Sequence, residues 1–570
     1  VAQRHRGPDG QGQAEIQLSW ARVTLGMTRL KIVDQREIPV PFRFPYLGVS
    51  LAYNGEIYNL DELRQVLSGD DPWLTQCDAE VLARAWKAWG VDCLTRLNGM
   101  WAFILVDEHE ERVFAARDRA GEKPLYRAAG GHPGEILLAS TVCGLKGLGV
   151  SLQETSCPDM DCLEFDFRGS TPLAGIRRVL PGHSLLLSSQ DRRGEETPWW
   201  ELPVAREPGD CLSFSQAVLL LEDILQDAVR ARARAEVPVG IMLSGGLDSA
   251  LIYQVCRMQG IPVQGLYCVD FPGEIDNLSL ARAAAQGAEV IPVRFSRDEM
   301  LEALPSIARH LDTPATWTAC CQWFLFQRMR SDGIKVALSG EGADELFGGY
   351  ARYRDLYWEQ RKEMDPHLAE YRPLIQRTHG DPWAWMTRML NRGGDRTECL
   401  ARELLVKYGG ASIHQGDFIS GMARTDFHTT MQVLLRMADR MAMAWSIENR
   451  SPFLDYRLLE LSPRISWQAK ITSVESKHVL REVARRLGVP REIVEEKTKR
   501  GLALPSSWTR ATNGSGLGHQ TSTSTPTWDR SWFRDRMLSA WRSGLTSRDG
   551  NVDSREPSGY HGDRLREEIP

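Results

Sequence analysis

Two architectures in tandem are predicted for this 570-residue chain: a sheet-rich α+β half over residues 1–185, then an α/β half over 211–510. Three observations carry that reading. The first half consists of short apolar stretches broken by turns. From residue 211, apolar strands alternate with amphipathic helices, which implies a parallel sheet with helices on both faces. Twice in the second half, at 237–246 and 333–350, a strand runs into a glycine turn.

Composition bounds the alternatives. The chain is too long for one ordinary core; at ~150 residues per domain the prior is about four, and two large domains also fit. Hydrophobic residues at 42% and charged residues at 25% are a globular mixture, which excludes wholesale disorder. A net charge of -6 is modest for this size and argues against a surface that coats nucleic acid. No apolar run approaches ~18 residues, so a membrane-spanning helix is not expected. The eleven cysteines follow no framework. Cys157/Cys162 and the neighbours Cys320/Cys321 lack zinc-knuckle spacing, so reduced thiols of a cytoplasmic protein are expected.

In chain order, "VSLAYNGEIYN" (49–59) reads as a strand entering a polar turn, and 100–118 as a hairpin around an acidic turn. Val81, Leu82, Ala85 and Trp89 share one face of a helix at 78–90. A last strand leads into a charged linker at 186–210. After 211, Val218, Leu221, Ile224, Leu225 and Val229 recur at helical steps. The strand "VPVGIML", a helix from Leu247, the strand "PVQGLYCVDF", a helix near 278–287 and the strand "AEVIPVRF" follow. Residues 350–490 read as mainly helical. The stretch 511–570 is expected to be low-complexity linker and mostly disordered tail. Within it, 528–545 forms an amphipathic helix whose Trp532, Met537 and Trp541 dock on their own protein.

The most informative segment is "LSGGLDS" (243–249). Gly245 and Gly246 let backbone amides approach an anion, Ser244 and Ser249 can donate hydroxyls, and a helix N-terminus adds partial positive charge. Asp248 would repel a bare phosphate, so a magnesium ion bridging the phosphates is its expected partner. The lysine of a Walker loop is absent, which suits holding a pyrophosphate leaving group better than passing on a γ-phosphate.

This string resembles the PP-loop of ATP pyrophosphatases. "LSGEGADELFGGY" (338–350), "DRMAMAWSIENRSPFLDYRLLE" (439–460), "ESKHVLREV" (475–483) and "KTKRGLALP" (497–505) are similar, in order, to elements of the glutamine-hydrolysing asparagine synthetases. "RHRGPDG" (4–10), "MTRLKIVD" (27–34), "YNGEIYN" (53–59) and "ARDRAGEKPLY" (116–126) resemble that family's class II glutamine amidotransferase domain. The likeness covers residues 4–510. It implies an Ntn-hydrolase-type sandwich followed by a PP-loop adenylating domain with a helical C-terminal lobe.

The resemblance also implies chemistry. ATP adenylates a substrate carboxylate, pyrophosphate departs, and ammonia displaces AMP. Asp248 and Asp344 become the magnesium ligands, and Lys477 the cation near the reacting phosphates, with Lys499 a weaker second. Ser339 and Gly340 fit the adenylate turn, and Met242, Leu243 and Val269 lie at strand ends where adenine would sit. Glu341 matches the family glutamate that orients ammonia and takes its proton; β-lactam synthetases carry tyrosine there. Asp439, Glu448 and Arg450 are read as holding the helical lobe together.

In the first half, Arg29 matches the arginine on glutamine's α-carboxylate, and Asn54 with Gly55 the oxyanion hole. Glu56 and Asp78 match the groups on the α-ammonium, and Leu30, Ile32 and Val33 the pocket wall. Turn chemistry for Asn54-Gly55 and helix capping for Asp78 are the plainer alternatives. The expected N-terminal cysteine nucleophile is not in the sequence, since Val1 has neither thiol nor hydroxyl. The expectation is a truncated start, or else a protein without glutaminase activity. Two sites on one chain imply ammonia passing between them.

The expected partners are small molecules: glutamine, aspartate or a related acid, and ATP. No nucleic acid or membrane is expected, and a homodimer is open. Two rivals remain. One is an amide ligase for another acid in a natural-product pathway, favoured by Asp276-Asn277 where Asp-Glu is common and by the unusual tail. The other is a catalytically silent scaffold, which the retained Ser244, Asp248, Glu341 and Lys477 oppose.

Overall fold

The computed structural model describes residues 2–68, 72–156, 169–205, 210–273, 276–313, 316–361, 402–414, 417–496, 502, 504–505, 508 and 530–546. The first half is antiparallel. Six strands lie in the order β11-β10-β6-β5-β4-β3: Glu196–Pro198, His183–Leu187, Arg112–Arg117, Gly99–Asp107, Val49–Ile57 and Phe42–Phe44. β4 and β5 pair over nine positions, and their inward residues alternate, so that Leu51, Trp101, Phe103 and Leu105 are buried. The helix Asp78–Trp89 covers this face, and Val81, Leu82, Ala85 and Trp86 join its core. A two-stranded sheet, β1 (Gly10–Gln17) with β2 (Arg22–Arg29), and a three-stranded one, β8-β7-β9 (Ile136–Ala139, Tyr126–Ala129, Ile176–Arg178), complete the half.

The second half is a parallel sheet, β14-β13-β12-β15-β16: Val290–Val293, Gly265–Val269, Val239–Met242, Val336–Leu338 and Glu448–Arg450. β12 and β13 are buried throughout, as strands covered on both faces must be. The order reverses at β12, which starts in the middle of the sheet and leaves a crevice at its carboxyl end. The long helix Phe214–Ala233 begins with a capping box, Ser213 and Gln216, and buries Leu221, Leu225 and Val229. Ile224, read as part of that stripe, is only half-buried.

Two features depart from the sequence reading. The Glu448-Asn449-Arg450 segment, inside the stretch read as mainly helical, is the edge strand β16. Asn54 and Gly55 sit inside β4, opposite Ala102 and Trp101, rather than in a turn. The helix Arg530–Thr546 packs along Arg297–His310, with Met537 and Trp541 buried in the core of the second half. Among the described residues no helix is long and apolar enough to cross a membrane.

Candidate functional site

β12 ends at Met242, and Leu243 continues the ladder by donating its N–H to Tyr267 O at 2.8 Å. The chain then curls. Gly245 has φ 76, and a Cβ there would lie 2.8 Å from Leu280 Cβ, so this turn requires glycine. Ser249 Oγ donates to Gly246 O at 3.2 Å and accepts from Ser244 N at 3.2 Å, which fixes the curl. The helix Leu247–Met258 starts from Gly246 with no side-chain hydrogen bond capping it. Met242, Leu243 and Val269 are buried at the strand ends beside it.

β15 delivers the second loop. Ser339 N donates to Arg450 O at 3.0 Å, which registers this loop on β16. A Cβ on Gly340 would lie 2.9 Å from Asp248 Cβ, so glycine brings the two loops into contact. Glu341 Oε2 is buried with no hydrogen-bond partner. Burial raises the Glu341 carboxyl above the usual range, with Ser339 and Asn449 pulling against it. Such a group is suited to holding or taking a proton.

Lys477 closes the crevice. Its ammonium lies 2.6 Å from Asp248 Oδ2 and 2.7 Å from Asp344 Oδ1. Burial would lower the Lys477 pKa, but the two carboxylates outweigh it and the net direction is up. Both carboxylates therefore converge on one point, as a bridged divalent cation requires. Among the described residues no group of three or more His, Cys, Asp or Glu could hold a metal. Two carboxylates with phosphate oxygens and water for the rest fit the habit of magnesium. Lys499 lies outside the described residues.

The first-half pocket lies on β4. Asn54 Nδ2 is buried and unpartnered, a donor without a structural task. A Cβ on Gly55 would lie 2.2 Å from Met100 O, so packing against β5 requires glycine. Asp78 opens its helix but does not cap it. Its Oδ2 accepts from Tyr53 Oη at 2.5 Å and Ile57 N at 3.0 Å, which draws the carboxylate to β4. Arg29 is buried at the end of β2 and donates to the carbonyls of Arg36 at 3.0 Å and Asp34 at 2.7 Å. It therefore holds the loop that carries Leu30, Ile32 and Val33, and these three pack on the apolar core of the second half.

Asp439, Glu448 and Arg450 reach further than the helical lobe. Arg6 grips Asp439 with two bonds, at 2.8 and 3.0 Å. Lys123 pairs with Glu448 at 3.3 Å, and Arg450 with Glu56 at 3.1 Å. All three join the two halves. Arg6, Lys123 and Glu56 are the partners that sequence reasoning left unassigned to this seam; their buried charge only makes sense once the halves meet.

A parallel sheet whose middle strand ends in a glycine curl, fused to an antiparallel domain with a buried, unpartnered amide on β4, is the frame of a ligase joined to a glutamine amidotransferase domain. Family comparison agrees. Residues 220–547 match the asparagine synthase model and residues 1–200 the glutamine amidotransferase domain model; the chain belongs to the asparagine synthase family. The match runs past residue 510 and takes in the helix Arg530–Thr546. A glutamine-hydrolysing asparagine synthetase of Bacillus subtilis is 29% identical over 536 residues, covering 88% of this chain and 82% of its own length. A Mycobacterium bovis protein carrying the same enzyme name is 30% identical over 566 residues, covering 89% and 84%. A Gibberella zeae protein named amidase chry2 is 25% identical over 551 residues, covering 84% and 81%.

Proposed function

We propose that the chain makes asparagine from aspartate and ATP, using ammonia drawn from glutamine. On this reading a carboxylate oxygen of the substrate attacks the α-phosphorus of ATP, and the bond to pyrophosphate breaks. The curl at 244–249 receives the pyrophosphate, and adenine lies against Met242, Leu243 and Val269, with Ser339 and Gly340 at the adenylate. Magnesium on Asp248 and Asp344 would neutralise phosphate charge there. Ammonia then attacks the acyl carbon, AMP leaves with the bonding electrons, and Glu341 takes the proton. Residues 1–185 would bind glutamine through Arg29, Glu56 and Asp78, with Asn54 and Gly55 facing the oxyanion; the N-terminal cysteine thiol that attacks the amide in this family is not among residues 1–570. Eight described cysteines are free thiols, which supports a reducing, cytoplasmic setting.

One observation carries the reading: the buried, unpartnered Glu341 Oε2 on the loop that touches the phosphate-binding curl. The test is formation of AMP and amide from ATP, magnesium, ammonium and aspartate. Glu341→Gln is expected to slow amide formation by about 10²–10⁴-fold. A chain that makes no AMP with aspartate or any other acid refutes it.

The relative named an amidase supports a second reading, amide formation on a different acid. AMP release with another acid, and none with aspartate, decides for it.

A further inference from the structure

We propose that Lys477 is a built-in counter-ion that keeps a divalent cation off Asp248 and Asp344 until nucleotide phosphates arrive to receive the ammonium. The inference rests on the magnesium role assigned to the two aspartates above. Three features of the fold are shaped around this contact. First, the ammonium touches both carboxylates, at 2.6 and 2.7 Å, and occupies the one point on which they converge. A metal bound there must displace it, because a dication and an ammonium cannot share that position. Second, Lys477 has φ 56 and ψ 37 at the start of the helix His478–Arg486. Left-handed backbone is unfavourable for a lysine, and such strain persists where a side chain has to be aimed. Third, Gly349 leaves the space that the contact fills. A Cβ there would lie 1.8 Å from Asp344 Oδ1 and 2.2 Å from Lys477 Cε. Any side chain at 349 would drive the lysine and the aspartate apart.

The consequence is an order of binding. Free metal competes with a contact ion pair and gains two carboxylates only by stranding a nearly buried ammonium. Metal that arrives with ATP brings phosphate oxygens for the ammonium, so the cost disappears. Metal and nucleotide are then strongly coupled, and the coupling runs through Lys477.

Manganese binding, followed by calorimetry or by the electron paramagnetic resonance of the free ion, reads this directly without turnover. It is measured with and without a non-hydrolysable ATP analogue. Without nucleotide, Lys477→Met is expected to bind manganese at least about tenfold more tightly than wild type. The analogue should raise the wild-type affinity strongly and that of Lys477→Met much less. Lys477→Arg, which keeps the charge, should stay weak without nucleotide. Lys477→Ala, which removes the ammonium and leaves both carboxylates in place, gives the same readout if Lys477→Met does not fold. Tight manganese binding by wild type alone overturns the proposal, as does an equal or weaker affinity in Lys477→Met. An inactive protein that still shows the tighter variant refutes the asparagine reading and leaves the counter-ion role standing.

Discussion

Arg450 on the edge strand of the second half places its guanidinium 3.1 Å from Glu56 Oε2 on the central sheet of the first. It also donates Nε to Glu448 at 2.9 Å and Nη1 to the carbonyls of Arg232 and Arg234 at 2.9 and 2.7 Å. This single cation, with 0% exposure, balances two buried carboxylates and two carbonyls.

Removing the cation should therefore cost more than removing one anion. Arg450→Met leaves Glu56 without its ion pair and Glu448 with Lys123 alone, and about 3–5 kcal/mol is expected. Glu56→Gln leaves Arg450 with Glu448 and should cost less. Burial already raises the Glu56 carboxyl strongly, against the pull of Arg450, so its charge is held at a cost. Urea unfolding of the two variants gives the ranking; equal losses would mean the seam is not held this way.

Asn54 and Gly55 are neighbours with opposite demands on stability. Gly55→Ala would push a methyl into Met100 O and Trp101, so β4 must separate from β5. A loss of at least about 2 kcal/mol is expected. Asn54→Ala removes a buried donor that has no partner, and should leave stability unchanged or slightly raised. Thermal unfolding distinguishes them. A large loss in Asn54→Ala would show that the amide serves the fold.

The Arg530–Thr546 helix offers a similar contrast. Trp541 is 3% exposed in the core, whereas Arg542 meets Glu154 at 2.8 Å on the surface. Trp541→Ala should cost about 3–5 kcal/mol and Arg542→Ala under about 1 kcal/mol. Denaturant unfolding monitors both; a small loss in Trp541→Ala would mean that the helix does not contribute to the fold.

These contrasts explain what the sequence could and could not disclose. The curl at 244–249 was readable because glycine spacing, strand and helix are all local. The stripe in Phe214–Ala233 was readable for the same reason. β16 was not, because Glu-Asn-Arg has no strand-forming side chain; its edge is held by Lys123 and Glu56, which lie hundreds of positions away. Asn54-Gly55 looks like a hairpin turn locally, yet Gly55 answers to Trp101 across the sheet. Asp78 looks like a cap, yet its carboxylate answers to Tyr53. In each case the deciding partner is remote in sequence, and local pattern carries no trace of it.

Glu122 carries a pH signature of its own. Asp118 accepts from its backbone N–H at 2.9 Å, which fixes the turn that buries it at the seam. Burial pushes its carboxyl up to about 8, with Arg232 and Lys123 lowering it and Asp118 and Glu341 raising it. The folded state thus holds a proton that the unfolded chain releases at an ordinary carboxylate pKa. Between roughly pH 4.5 and 8 the native state binds more protons than the unfolded one, so stability falls as pH rises across that window. The slope for one such group is about 1.4 kcal/mol per pH unit, an upper figure for a fully coupled site. Glu122→Gln removes the proton and keeps the shape. Its stability should match wild type near pH 5 and exceed it increasingly toward pH 8. Urea midpoints at pH 5, 6.5 and 8 measure the divergence, and parallel profiles for the two proteins would show that Glu122 titrates alike in both states.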